Sequence, residues 1–291
     1  MATPNSPADS LCSSSLSLWE RAGVRATAGG SYIHLTLDSP STRNALTDEM
    51  VAGIADAITH AESRPDTRAF ILRGAAHTFC AGGDFSNFRT LMATPAPAGT
   101  ADSIATFNRA FGAMLERLQA CAIPTIAVVE GAAMGGGCGL AAACDFVLAA
   151  STAQFGMPEV TLGLPPAQIA PFIAARVGSG AALRQMLTGR RIAASQALAC
   201  GLADEVAEPG ELDARLHALL TDLGRAEPAA LRATKAIVQR RAHATLGDTL
   251  DFASHAFATS LRSGTAAEGI AAMTAKRTAS WVVKPVDGVA P

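Results

Sequence analysis

This sequence of 291 residues has no excess of positive charge: 23 Lys and Arg stand against 25 Asp and Glu, for a formal net charge of -2. That balance predicts neither a nucleic-acid partner nor an anionic membrane surface, because phosphate contacts need clustered Lys and Arg. Cysteine pairs are missing as well. Cys12, Cys80, Cys121, Cys138, Cys144 and Cys200 form no C-x-x-C, and small apolar residues surround them. They read as reduced thiols of a cytoplasmic protein, not as a disulfide framework. Residues 1–10 carry no basic stretch of the kind that opens a secretory signal. Nor is there a membrane-length run. In the most apolar stretch, 123–150, Glu130 and Asp145 bracket about 14 uncharged residues, short of the roughly 20 that span a bilayer. The histidines, His34, His60, His77, His217, His243 and His255, fall in no metal-ligand spacing, so no metal is expected. Phosphate-binding G-x-x-x-x-G-K-[ST], dinucleotide G-x-G-x-x-G and the G-x-S-x-G elbow are all absent.

What the chain does have is apolar mass. Charged residues make up only 16% and apolar residues 49%, enough for a sizeable core with surface left over to bury between subunits.

Residues 1–28 are rich in Ser, Pro and Ala, lack sustained periodicity, and read as a disordered tail. Ordered structure is predicted to begin with the β-rich alternation Tyr32-Ile33-His34-Leu35-Thr36-Leu37. Thr47-Asp48-Glu49 opens an amphipathic helix through about Ala61, with acidic residues in its first turn. A short apolar strand at 69–73 ends at Gly74, and a loop runs on to Asp84. The Pro- and Ala-rich stretch at 93–99 suggests a mobile connection, and residues 103–121 have helical spacing. Next come a buried strand at 124–129, a Gly-rich turn, a small-residue helix over 136–144 and a strand at 145–149. This recurrence of strand, Gly-rich turn and helix is an α/β pattern. Helices are predicted over 211–225, 228–242, 245–263 and 265–280. The chain thus divides into a tail (1–28), a core carrying the site (29–210) and a helical C-terminal region (211–291).

Two strands run into similar loops, Phe79-Cys80-Ala81-Gly82-Gly83-Asp84 and Gly131-Ala132-Ala133-Met134-Gly135-Gly136-Gly137-Cys138. Glycine lets backbone approach a ligand with no Cβ in the way, and a loop entering a helix presents free N–H groups. Two such loops facing each other would make an oxyanion hole. Cys80 and Cys138 in these loops read as small buried thiols. Glu159 follows Pro158 in a segment poor in charge. Burial there would raise its pKa toward the range useful for proton transfer.

Phe79–Asp84 resembles the F-[SC]-A-G-x-D motif of the crotonase (enoyl-CoA hydratase/isomerase) superfamily, and Gly135-Gly136-Gly137-Cys138 resembles its G-G-G-C-E-L motif. Arg43-Asn44-Ala45-Leu46, Phe155-Gly156-Met157-Pro158-Glu159 and Glu268-Gly269-Ile270 with Lys276-Arg277 resemble three further motifs in the family's order, so that the resemblance covers about residues 30–281. It implies an α/β fold, a spiral of β-β-α turns with a helical C-terminal trimerisation region, assembled as a homotrimer or dimer of trimers. It implies an acyl-CoA thioester as substrate and partner. Coenzyme A is then part of the substrate, and no separate cofactor is called for. The amides of Gly83 and Gly136 would hold the thioester oxygen, Glu159 would carry the proton transfers, and the acyl-CoA would pass along Gly83, Asp84, Phe85 and Ser86. Asp84 reads equally well as a helix N-cap and is given no catalytic role. Lys276 would approach the CoA phosphates, on a neighbouring subunit.

One departure stands out. Where the hydratase motif has its second glutamate, this chain has Gly139. A single carboxylate can still take a proton from water and deliver it to the α-carbon, or shuttle a proton between two carbons. Glycine there is also expected to free space beside the substrate β-carbon. The following Leu164-Pro165-Pro166-Ala167-Gln168-Ile169-Ala170-Pro171 resembles the variant found in bacterial hydratases of branched glutaconyl-CoA esters. The leading expectation is a lyase that hydrates a 2-enoyl-CoA, specifically isohexenylglutaconyl-CoA or 3-methylglutaconyl-CoA. The rivals are an enoyl-CoA isomerase using a single Glu, and a catalytically silent binding protein of the same fold.

Overall fold

The computed structural model describes residues 22–93 and 102–285, apart from the side chains of residues 85–88. The connection expected at 93–99 lies, but for Ala93, outside them. A six-stranded sheet has the order β1 (Val24–Gly29), β2 (Tyr32–Leu37), β3 (Ala69–Gly74), β4 (Thr125–Val129), β6 (Phe146–Ala150) and β9 (Glu205–Ala207). Within this sheet, among the described residues, only the β1–β2 pair is antiparallel. A small second sheet joins β5 (Ala132–Met134), β7 (Gln154–Gly156) and β8 (Arg191–Ala193).

The chain alternates between the two sheets. After β2, Leu46 makes an isolated parallel bridge to Gly83, and helix α1 (Asp48–Ser63) follows. After β3, Cys80 bridges Ala133, and then come α2 (Phe85–Ala93) and α3 (Ser103–Gln119). After β4 come β5 and α4 (Gly136–Ala143). After β6 come β7, a 3-10 turn (Pro158–Leu162), α5 (Ala170–Val177), α6 (Ser179–Thr188), β8 and α7 (Ala194–Ala199). Each turn of this spiral gives one strand to the large sheet, one extended segment to the small sheet, and a helix. That is the β-β-α spiral the motifs implied.

Period-2 burial explains the layering. Phe70, Leu72, Ala127 and Val129 face a core shared with α1, α3 and α4, while Ile71, Ile126 and Val128 face Leu212, Leu216, Leu220 and Leu223 of α8 (Leu212–Arg225). Both faces of the parallel strands are covered, so these strands read as continuous apolar runs. Helices α9 (Pro228–Arg240), α10 (Leu246–Arg262) and α11 (Thr265–Thr274) complete the chain. Among the described residues no helix is long and apolar enough to cross a membrane.

Two boundaries differ from expectation. Val24–Gly29, all but its last residue assigned from sequence to the tail, is a strand whose Val24 and Ala26 are buried against β2. Its short alanines and intervening Arg25 and Thr27 carry too little apolar contrast to show a period. The last helix ends at Thr274, not near residue 280, because Lys276 turns into the left-handed region at φ 51°. The segment beyond folds back: Val283 N donates to Gly224 O at 3.0 Å, and Arg68 Nη2 to Trp281 O at 2.7 Å.

The C-terminal helices are tied to the core through Lys235 of α9, whose side chain is only 9% exposed. Its Nζ donates to Asp145 Oδ2 at 2.5 Å and to Ile123 O at 3.0 Å, while Thr125 donates to the same carboxylate oxygen through N and Oγ1. Removing the ammonium leaves a half-buried carboxylate with only neutral donors. Lys235→Ala is expected to lower unfolding free energy by about 2 kcal/mol, the scale of a hydrogen bond to a charged group. Urea denaturation measures this, and a loss under about 0.5 kcal/mol would place Lys235 among ordinary surface lysines.

Candidate active site

Four loop segments meet where the two sheets adjoin. Ala81 N donates to Arg43 O, Leu46 N to Gly82 O at 2.8 Å, and Asp84 N to Leu46 O at 3.2 Å. On the other flank Cys80 N donates to Ala132 O and Met134 N to Cys80 O, both at 2.9 Å, and Gly135 N donates to Gly156 O at 2.8 Å. Asn44, wholly buried, fixes the first segment. Its amide donates to Ala75 O and Thr78 O, and its Oδ1 accepts from Ser39 N. That locking role was not read from the sequence, although the R-N-A-L match marked the residue.

The bridge to Leu46 uses Gly82 O and Asp84 N, so the N–H of Gly83 points away from that segment. Gly136 is the first residue of α4, where an N–H has no partner inside the helix. Among the described residues neither N–H donates a hydrogen bond. Their loops lie side by side: a Cβ on Gly135 would stand 3.9 Å from Gly82 Cα.

Glu159 completes the cluster. The 3-10 turn that carries it follows β7, which pairs in parallel with β5 and so draws the carboxyl to the same loop. A Cβ on Gly135 would fall 2.9 Å from Glu159 Oε1. Its φ of 50° confines position 135 to glycine, whereas the carboxylate is the end of a flexible side chain that a Cβ would displace. Glu159 Oε2 is buried without a hydrogen-bond partner. Burial pushes the carboxyl above its ordinary pKa, and its own backbone N–H pulls weakly the other way. A carboxyl group able to take or give a proton thus lies beside outward-pointing amides suited to an oxyanion.

The expected free space at Gly139 is not there. Gly139 is buried, and a Cβ on it would stand 2.3 Å from Ile169 Cγ2 and 2.9 Å from Ile169 Cβ. The neighbouring Gln168 lies against Gly112 of α3 and donates to Asn108 Oδ1 at 2.8 Å. A Cβ on Gly136 would meet Leu46 Cδ1 at 2.7 Å and Phe111 Cζ at 3.2 Å. Phe111 went unremarked at the sequence level, and Ile169 was marked only as part of its motif, because nothing local marks a long-range contact. Asp84 immediately precedes α2, and Phe85 and Ser86 form its first turn, with side chains outside the described residues. Lys276 is exposed and follows α11. The tail just after it is anchored by Arg68, at the start of β3, whereas the glycine loops follow the ends of β3 and β4.

Burial pushes the thiols of Cys80 and Cys138 up to about 12, which keeps them protonated and poor nucleophiles. Among the described residues no group of three His, Cys, Asp or Glu side chains could hold a metal ion.

Comparison with known proteins decides the kinship: residues 27–284 match the family model described as enoyl-CoA hydratase/isomerase. The chain belongs to the enoyl-CoA hydratase/isomerase family. A probable enoyl-CoA hydratase of Mycobacterium tuberculosis is 34% identical over 244 residues, 84% of this chain and 91% of that one. The 2,3-dehydroadipyl-CoA hydratase of Escherichia coli is 32% identical over 84% of this chain and 92% of its own length. The crystal structure of an enoyl-CoA hydratase/isomerase from Marinobacter aquaeolei superposes with a TM-score of 0.86 at 38% identity, over 90% of this chain and 99% of that one. By this kinship the enzyme is a hydratase-type lyase.

The burial of Glu159 has a measurable sign. Its folded-state pKa lies above that of the unfolded chain, so the folded protein holds the proton more tightly. The stability tied to that proton is complete below the unfolded pKa and is lost as pH rises through the folded pKa. Glu159→Gln, which never ionises, is expected to raise the melting temperature at pH 7 by about 2–4 °C, the equivalent of roughly 1 kcal/mol in a domain of this size. The advantage should fade as pH falls toward 4. A calorimetric series from pH 4 to pH 8 tests this, and a variant less stable than wild type at pH 7 would contradict it.

Proposed function

We propose that the enzyme adds water across the double bond of a 2-enoyl-CoA, with Glu159 as the only carboxylate in the reaction. Glu159 takes a proton from water as the water oxygen bonds to the β-carbon. The electron pair of the double bond moves toward the thioester carbonyl, and the N–H groups of Gly83 and Gly136 stabilise the resulting oxyanion. Glu159 then returns the proton to the α-carbon. Nothing but proton transfer and charge stabilisation is required, so no cofactor enters beyond the coenzyme A of the substrate. The observation that carries this reading is the buried, unpartnered Oε2 of Glu159 beside two loops with undonated N–H groups.

The same observation weighs against a silent binding protein, where leaving a carboxylate oxygen dry and unpaired would be a cost without return. An isomerase would need only proton shuttling by Glu159, and the absence of a carboxylate at position 139 is the feature that favours it. The assay separates the three readings. Hydration consumes the conjugated enoyl-thioester absorbance, isomerisation of a 3-enoyl substrate creates it, and a binding protein does neither. Glu159→Gln is expected to lower turnover at least about 100-fold, the usual loss for a general acid–base, while acyl-CoA still binds. Near-normal turnover would remove Glu159 from the mechanism.

As substrate we propose a branched glutaconyl-type ester, isohexenylglutaconyl-CoA or 3-methylglutaconyl-CoA. The support is electrostatic: with glycine at 139, no second carboxylate repels a distal acid. The Escherichia coli relative is named for an enoyl thioester that itself ends in a carboxyl group. Equal or higher kcat/KM for crotonyl-CoA than for 3-methylglutaconyl-CoA would defeat this choice.

For assembly we propose a homotrimer or dimer of trimers through the C-terminal helices. Leu246, Leu250, Phe257 and Leu261 of α10 and Ile270 and Met273 of α11 are each more than half exposed, an apolar surface of the kind subunits bury. In this arrangement Asp84, Phe85 and Ser86 line the CoA path within one subunit, and Lys276 reaches the CoA phosphates of a neighbour. Sedimentation velocity is expected to give a trimer or hexamer, and a stable, active monomer would overturn it.

A further inference from the structure

We propose that Ile169 is a specificity-determining residue: it occupies the space into which any side chain at position 139 would project, and closes the acyl end of the site with hydrocarbon in place of a second carboxylate. This rests on the reading of Glu159 and Gly136 as the reacting centre. Gly136 and Gly139 are three residues apart on α4, so their missing side chains would project from one face of the helix. The atoms nearest to a Cβ at either position are apolar: those of Leu46 and Phe111 at Gly136, and of Ile169 and Leu115 at Gly139.

The segment before α5 works as a wedge between α3 and α4. Gln168 anchors it on the α3 side, lying against Gly112 and bonded to Asn108. Ile169, next in the chain and 3% exposed, turns to the α4 side. A flexible tip could swing away, but the obstruction at Gly139 includes Ile169 Cβ at 2.9 Å, and no rotamer change moves a Cβ. Positions 139 and 169 are therefore one unit, and a side chain is admitted at only one of them. Placed at 169 rather than 139, that side chain is an apolar wall. The substrates it screens are 2-enoyl thioesters differing in the size of the acyl end.

Two sets of variants test the idea. For Ile169→Ala, the ratio of kcat/KM for trans-2-decenoyl-CoA to that for crotonyl-CoA is expected to rise about tenfold or more. That is the discrimination one or two methylenes produce in an apolar pocket. Ile169→Val keeps Cβ and Cγ2 and should leave the ratio within about twofold of wild type, well inside that discrimination. A merely structural loss lowers both rates by one factor, and that outcome would overturn the proposal. In the second set, Gly139→Glu alone is expected to lower the melting temperature by about 5 °C or more through overpacking, and adding Ile169→Gly should recover most of that loss. A Gly139→Glu protein as stable as wild type would equally overturn it. The underlying reading is tested apart, by Glu159→Gln in the same assay. An inactive Glu159→Gln with an unmoved Ile169 ratio refutes the wall alone, whereas an active Glu159→Gln refutes the reacting centre.

Discussion

Backbone pairing between successive glycine loops is the constraint on which the rest of the structure depends. Leu46 with Gly83, Cys80 with Ala133, and Gly135 with Gly156 each tie one turn of the spiral to another, outside the main sheet. These pairings occupy the groups flanking Gly83 and leave its own N–H turned outward. They also bring Gly82 against Gly135 and seat Glu159 on Gly135. A Cβ on Gly82 would meet Met134 O at 3.0 Å, and one on Gly137 would meet Cys80 O at 2.6 Å. The glycines of the two loops are thus required first for the loops to lie together, and only then for a ligand to approach them.

Much of this was legible because it is local. Thr47 caps α1 through Met50 N, the four last helices begin within a residue of where periodicity put them although the last stops short, and the parallel strands announce themselves as apolar runs. Loop motifs carried the site, since a motif preserves spacing that a spiral turns into proximity. What stayed hidden is non-local or low in contrast. The strand at Val24–Gly29 is held by register with β2 and not by pattern. The loss of bulk at Gly139 suggested open space, because sequence alone cannot say that Ile169, thirty positions on, fills it.

Glu159 sets stability against chemistry. A carboxyl group with one oxygen buried and unpaired is disfavoured in the charged form, which raises its affinity for a proton. In the proposed reaction that desolvation suits the group to carry a proton, and it weakens the fold as the group ionises. The adjoining loop is itself well satisfied: Asn44 is bonded on both its amide nitrogen and its oxygen.

The tail that folds back after Lys276 has a consequence for the order of events in synthesis. Arg68 is nearly buried at the start of β3, yet its bond to Trp281 O spans 213 residues, and Val283 closes on Gly224 only after the last helix is made. A chain emerging from the ribosome can pair β2, β3 and β4 and collapse their inner core early. Throughout that interval the Arg68 guanidinium must stay hydrated through Nη2, holding that edge of the sheet open to water. Final drying of the edge therefore waits for the C-terminus, and couples completion of the core to the arrival of the helices that carry the exposed apolar surface.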